Sequence, residues 1–493
     1  MADSGERPLE LHSTPMIQLL RNAFALILCL WLPSVMAATP RKAAAPLPGE
    51  LDQVLHRHGI PPDHVSIVIR DALTGEVVLE LNPGVARSPA STLKILTTFA
   101  ALDTLGPNYH WHTRAYRTGP IVQGHLQGDL IIQGGGDPFM SAERWWSFAR
   151  ALHNEGVLHI DGDVVIDRSM YAIQDIRPDA FDGQGTRLYN VQPDPLLVNF
   201  QALEFHLLPE LTDIRVVTDP QPTTLTVDNG LQVTGGPCRL LTSPVSVLDD
   251  TEHPEHLTLR GSLGSHCDTT TLRRTALDAP TYAYGTLVEH LQRWGGDVSG
   301  HLKLGTTPST AILIHDFDSL SLGELLPLVN KYSSNVMARM LLLTQGSARH
   351  GTPVTEASSE QSLRDWLMTH NIHSPELVID NGSGLSRIAR ISADSLAAVL
   401  QVARHSRYYP EFAASLPLAG QDGTLKNRFT DLTDQARIRL KTGHLDEVAA
   451  VAGWVTDASN RSLTLVVLIN HPNAQHGNGD AVIDTIVRWA INH

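Results

Sequence analysis

Strand-patterned segments sit at the two ends of this chain, with a long middle of different texture between them. Val65-Ser-Ile-Val-Ile-Arg70 alternates, Asp71-Ala-Leu-Thr-Gly75 turns, and Glu76-Val-Val-Leu-Glu-Leu81 returns, which reads as a hairpin. Residues 438–441, 449–456 and 462–470 read as further strands, and 480–491 as a closing amphipathic helix. A chain of 493 residues exceeds one ordinary core. Residues 50–112 and 318–493 therefore read as two halves of one α/β domain. The insertion between them, 113–317, carries Gly- and Asp-punctuated short strands, a helix over 141–155 and a β-rich stretch near 212–274.

Composition removes some partners. The formal charge of -15 argues against nucleic acid or an anionic membrane surface. At the N-terminus, Arg21 precedes an apolar run over 23–32, and Val35-Met-Ala-Ala38 follows as a small-residue cleavage pattern. Residues 1–37 read as a signal peptide and 38–49 as a linker, with an uncleaved anchor as the alternative. The run is short for a membrane span, so a stable anchor is not expected. Beyond it lie two cysteines, Cys238 and Cys267. An even pair in an exported chain reads as one disulfide, worth roughly 3 kcal/mol for a loop of about 30 residues. His266 beside Cys267 leaves metal binding as the alternative, but no second Cys/His pair has ligand spacing. Glu252-His-Pro-Glu-His256 reads as a surface loop, since its proline opposes helical ligand geometry.

The chain holds six lysines, which makes the setting of two of them informative. Lys94 follows Ser91 by three residues in Ser88-Pro-Ala-Ser-Thr-Leu-Lys94, at the head of an expected helix starting near Pro89. At that spacing the amine lies on the same helical face as the Ser91 hydroxyl. Burial beside Leu93 and Leu96 disfavours its ammonium, and a second cation nearby lowers its pKa further. A neutral lysine is a base for serine. An ordinary capped helix with a surface-seeking lysine gives the same pattern. Ser333-Ser-Asn335 heads a second apolar-striped helix, where Ser333 is placed to relay a leaving-group proton and Asn335 to bind a peptide carbonyl. A plain N-cap serine explains it equally well. Lys441-Thr442-Gly443 is expected to end a strand, its glycine allowing close backbone approach.

Ser-x-x-Lys, Ser-x-Asn and Lys-Thr-Gly in this order resemble the signatures of penicillin-recognising serine enzymes. More narrowly, the chain resembles the class C low-molecular-mass penicillin-binding proteins, D-alanyl-D-alanine carboxypeptidase/endopeptidases of the penicillin-binding protein 4 type. The stretches that carry this include Gly134-Gly-Gly-Asp-Pro138, Tyr189-Asn-Val-Gln-Pro-Asp-Pro-Leu-Leu-Val-Asn-Phe200, Asp380-Asn-Gly-Ser-Gly-Leu-Ser-Arg387, Gly420-Gln-Asp-Gly-Thr-Leu425 and Lys441-Thr-Gly-His-Leu-Asp-Glu-Val448. More than 200 residues between the first two signatures fit that family's inserted domains.

The resemblance implies a β-lactamase/transpeptidase-like serine hydrolase fold, an antiparallel sheet flanked by helices and split by the insertion. It implies Ser91 as nucleophile, Lys94 as base, and Ser333, Asn335 and Lys441 as the rest of the proton network, with a charged Lys441 depressing Lys94. The backbone N–H groups of Ser91 and His444 would form the oxyanion hole. Thr442 would hold the terminal carboxylate, with Gly443 beside it. His444 stands where Ser or Thr is frequent. Arg387 and Asp175 would meet the carboxylate and amine of a cross-linking diamino acid, although a structural loop arginine is the simpler account of Arg387. Implied partners are peptidoglycan peptides and β-lactams, in a periplasm, with no metal or organic cofactor; a homo-oligomer stays open. A β-lactamase or esterase on the same scaffold, and a non-catalytic peptidoglycan-binding protein, remain the alternatives.

Overall fold

Five strands drawn from the two ends of the chain pair into one antiparallel sheet. They are β1 (Val65–Asp71), β2 (Val77–Leu81), β3 (Ile438–Leu445), β4 (Val448–Thr456) and β5 (Ser462–Asn470), in the order β3-β4-β5-β1-β2. The computed structural model describes residues 47–172, 177–235, 245–249 and 255–493. The N-terminal 1–37 segment, Asp175, Cys238 and His253 lie outside the described residues.

The strand pattern decides which face each side chain meets. Val68 of β1, Ala450, Ala452 and Trp454 of β4, and Val466 and Leu468 of β5 enter one apolar cluster. Their alternate neighbours Ile67 and Ile69, Ala449 and Val451, and Leu465 and Val467 enter another. The sheet is thus buried on both faces, and near-continuous apolar runs such as Ser462–Asn470 follow from that. On one face lie α2 (Lys94–Leu105), α3 (Leu322–Lys331), α4 (Asn335–His350), α5 (Glu356–Thr369), α6 (Ala393–His405) and α7 (Tyr409–Ser415). On the other lie α1 (Gly49–Arg57) and α8 (Asn478–Asn492). Neither these helices nor any other among the described residues is long and apolar enough to cross a membrane.

Between α2 and α3 the chain builds a separate apolar core around two further helices, Ala142–Asn154 and Ala279–Arg293. A mixed five-stranded sheet, a four-stranded sheet and two three-stranded sheets surround it. The β-rich part runs from Leu203 to Arg274. Cys267, in this part, is disulfide-bonded. His256 opens the strand His256–Gly264 and is not part of a surface loop.

Two local expectations need correction. The helix does not run on from Pro89: Ala90 takes a left-handed φ of 45°, Ala90–Leu93 is a 3-10 turn, and the α-helix begins at Lys94. Residues 94–102 of α2 are all buried, and the helix reaches solvent at Asp103–Leu105. Lys441-Thr-Gly does not end its strand; β3 continues to Leu445 because its pairing with β4 persists to Leu445↔Val448.

Candidate active site

Lys94 is fully buried, and its amine reaches three acceptors. Nζ lies 3.0 Å from Ser91 Oγ, 2.8 Å from Asn335 Oδ1 and 2.6 Å from the Ser383 carbonyl. Burial drives its pKa well below the usual lysine value, and the nearby Lys441 pushes it further the same way. A neutral amine keeps two N–H donors and one lone pair. Asn335 Oδ1 and the Ser383 carbonyl match the two donors, which leaves the lone pair facing the Ser91 hydroxyl. That is the arrangement a general base for Ser91 requires.

The other lysine faces the same centre from the sheet. Lys441 Nζ donates to Ser333 Oγ at 2.9 Å and to the Thr442 carbonyl at 2.7 Å. Burial alone lowers its pKa to about 7. Burial thus loosens the proton of Lys441, while Lys94 has the Lys441 charge as a second cause against its own.

Backbone geometry brings these groups together. Ser333 sits between α3 and α4 at a left-handed φ of 59°, and Ser334 caps α4 by accepting from the Met337 N–H. The N-cap is thus Ser334, which frees the Ser333 hydroxyl for Lys441. Left-handed residues of this kind cost about 1–3 kcal/mol and persist where surroundings hold them; here one precedes Ser91 and the other is Ser333 itself. Asn330, fully buried at the end of α3, binds Thr98 of α2 and Ser415 of α7, fixing that turn against the helix that carries Lys94. Gly443 lies where a Cβ would be 2.7 Å from the Pro89 carbonyl and 3.0 Å from the Ser91 nitrogen. Only glycine lets β3 run this close to Ser91.

Several contributors carry no signal of their own in the sequence. The Ser383 carbonyl is a backbone acceptor, aimed by Asn381, whose Oδ1 accepts from the Ser383 N–H and Oγ, and by Thr97, which donates to the Gly382 carbonyl. The Tyr189 carbonyl accepts from Asn335 Nδ2 at 3.2 Å, which orients the amide so that Oδ1 faces Lys94. Thr442 Oγ1 donates to Thr424 at 2.7 Å. Thr424 and Ser383 lie in stretches already noted above, but nothing in those stretches points to a role for either residue.

The remaining expected residues make contacts of their own. His444 Nε2 is 2.9 Å from Asp480 Oδ1, which also accepts from Arg428. Arg387 stands over the Phe181 ring at 4.9 Å and 3.8 Å from Asp446, with both charged side chains largely exposed. Phe181 precedes Asp182, which binds the Tyr189 hydroxyl, so Arg387 borders the same loop that touches Asn335.

The chain is 28% identical over 482 residues to the D-alanyl-D-alanine carboxypeptidase of Actinomadura sp. (strain R39), covering 92% of this chain and 88% of that protein. The crystal structure of penicillin binding protein 4 from Haemophilus influenzae superposes with a TM-score of 0.74 at 21% identity, over 89% of this chain and 98% of that one. The same protein in complex with a β-lactam superposes with a TM-score of 0.71 at 20% identity and the same coverage. The fold is therefore the penicillin-binding protein 4 fold. Residues 47–493 match the family described as D-Ala-D-Ala carboxypeptidase 3 (S13), and the chain, a serine-type D-Ala-D-Ala carboxypeptidase, belongs to that family.

Proposed function

We propose that Ser91 is the nucleophile of this peptidase and that the lysine pair runs its proton transfers. Neutral Lys94 takes the Ser91 proton as Oγ attacks the carbonyl carbon between the two D-alanines. The oxyanion that forms is met by the Ser91 and His444 N–H groups, on the two segments that Gly443 allows to meet. The proton returns to the departing amine through Ser333, held in place by Lys441. D-Alanine leaves, and water, activated again at Lys94, hydrolyses the acyl-enzyme. Asn335 holds the substrate's peptide carbonyl and Thr442 its terminal carboxylate.

The observation that carries this reading is the contact set of Lys94: two acceptors for two N–H groups, and Ser91 opposite the lone pair. The same chemistry on a cross-linked stem peptide makes the protein a DD-endopeptidase as well, acting in cell-wall remodelling. Arg387, beside the Phe181–Tyr189 loop, is placed to meet the free carboxylate of the cross-linking residue, and Asp175 its amine. β-Lactams acylate Ser91, a reading favoured by the β-lactam complex of the Haemophilus protein. The apolar run over 23–32 and its small-residue flank support export to a periplasm through a signal peptide. Labelled penicillin with Ser91→Ala as control tests the site. Wild-type protein becomes covalently labelled and the variant stays unlabelled; no label on wild type at high dose, or equal label on Ser91→Ala, refutes it.

A further inference from the structure

Thr442 and Thr424 form a hydroxyl pair in which the two members are differently exposed. Thr442 is 4% exposed and donates its proton to Thr424 Oγ1 at 2.7 Å, whereas Thr424 lies open to solvent. A hydroxyl owns one proton. With the two oxygens 2.7 Å apart and Thr442 buried, the hydroxyl that the pair presents outward is that of Thr424. We propose that Thr424 is a specificity-determining residue whose hydroxyl donates to the terminal carboxylate of the substrate, with Thr442 behind it as the second member of a two-hydroxyl chain. This rests on the reading above that places the carboxylate at the Thr442 end of the cleft.

The chain of hydroxyls strengthens the contact. An O–H whose oxygen accepts a hydrogen bond is polarised and donates more strongly, and a carboxylate is the acceptor that gains most from it. The position of Thr424 is also built. Gly423–Leu425 is a 3-10 turn whose Leu425 side chain is fully buried beneath the sheet. Asp422 Oδ1 accepts from the Leu418 N–H at 2.8 Å, and its other oxygen pairs with Lys331, two residues before Ser333. Gly423 passes so close to Lys331 that a Cβ would lie 2.6 Å from the Lys331 carbonyl. The Asp422 charge is thereby matched by Lys331 and does not stand unopposed near a substrate carboxylate. Upstream, the Ala419 N–H donates to the Ile438 carbonyl and the Leu440 N–H to the Pro417 carbonyl, which ties this segment to the edge of β3 just before Lys441. On the same face of β3 as Thr442, two residues along, His444 is engaged with Asp480.

The test uses an acylated D-alanyl-D-alanine peptide with a free carboxylate and the same peptide capped as its terminal amide, the latter read as substrate or as competitive inhibitor. Thr424→Val keeps the shape and removes the hydroxyl. It raises KM for the free acid about tenfold or more, leaves kcat within about threefold, and leaves recognition of the amide unchanged. Thr424→Ser restores most of the loss. Equal losses on acid and amide, or no change on either, overturn the proposal. A wild type inert toward both peptides and unlabelled by penicillin overturns the function reading and this inference with it. An active wild type with Thr424→Val unaltered overturns this inference alone.

Discussion

Gly443→Ala puts one methyl group at the closest approach in the site. The added Cβ would stand 2.7 Å from the Pro89 carbonyl and 3.0 Å from the Ser91 nitrogen, whereas ordinary contact begins near 3.4 Å. Relieving the shorter contact requires β3 and the Ser91 turn to separate by about 0.7 Å, since neither neighbour is the end of a flexible side chain. Lys441 and the His444 N–H ride on β3, so the separation moves them away from Ser91. Misplacement on the order of 1 Å in a catalytic array is worth about a hundredfold in rate, or about 2.7 kcal/mol of barrier. The second-order rate of acylation by labelled penicillin should therefore fall about a hundredfold while global stability falls by about 1–3 kcal/mol, the usual effect of overpacking. Stopped-time labelling gives the first quantity and thermal unfolding shows that the variant is folded. A folded Gly443→Ala protein that acylates within about threefold of wild type would refute the claim that close contact between β3 and Ser91 sets the geometry.

Two titrations follow from the lysine pair. Asn335→Asp replaces an amide oxygen 2.8 Å from Lys94 Nζ with a carboxylate; an opposite charge favours the ammonium, so the ascending limb of the acylation–pH profile moves to higher pH, and a limb that stays put contradicts Lys94 as the base. Lys441→Arg removes the group whose pKa is lowered to about 7. Where a charged Lys441 is needed to hold Ser333, wild-type activity falls above about pH 7, and the guanidinium, which does not deprotonate, carries that descending limb upward. The stability sign is opposite in sense: the unfolded chain binds the Lys441 proton up to its ordinary value near 10.5 and the folded chain only to about 7, so this group makes stability rise between those pH values. Thermal unfolding across that window should show a smaller rise in Lys441→Met than in wild type.

The sheet and the lysine pair were legible in sequence because both depend on side-chain pattern. Alternation along 65–70 and 462–470 placed strands, and the spacing of Ser91 and Lys94 placed two groups on one turn. The break at Ala90 was not legible, since Pro89 is a good helix opener and nothing local requires a left-handed residue after it. What holds Ala90 is contact with distant segments, among them the β3 backbone at Gly443. Backbone acceptors escaped for a related reason: the Ser383 and Tyr189 carbonyls act through position, and any residue type has a carbonyl. Thr424 was hidden differently. Its side chain matters only once Thr442 is found next to it, 18 positions away in the chain. The lowered pKa of Lys441 follows from its complete burial, which the motif alone does not reveal.

The joining of β1 to β5 has a consequence for how the molecule is made. Strand β1 emerges early, yet one of its two neighbours in the sheet is near the C-terminus; Ser88, just past the hairpin, binds Asn470 across 382 positions. Until the last strand is synthesised, one long apolar edge of β1 has no partner, while the insertion, with its own core, has every residue it needs to form. A pairing of such sequence separation gives the sheet a high contact order, which slows its formation. During that wait the open edge is a template for pairing with other chains. A chain cut short before Ser462 leaves β1 without this neighbour.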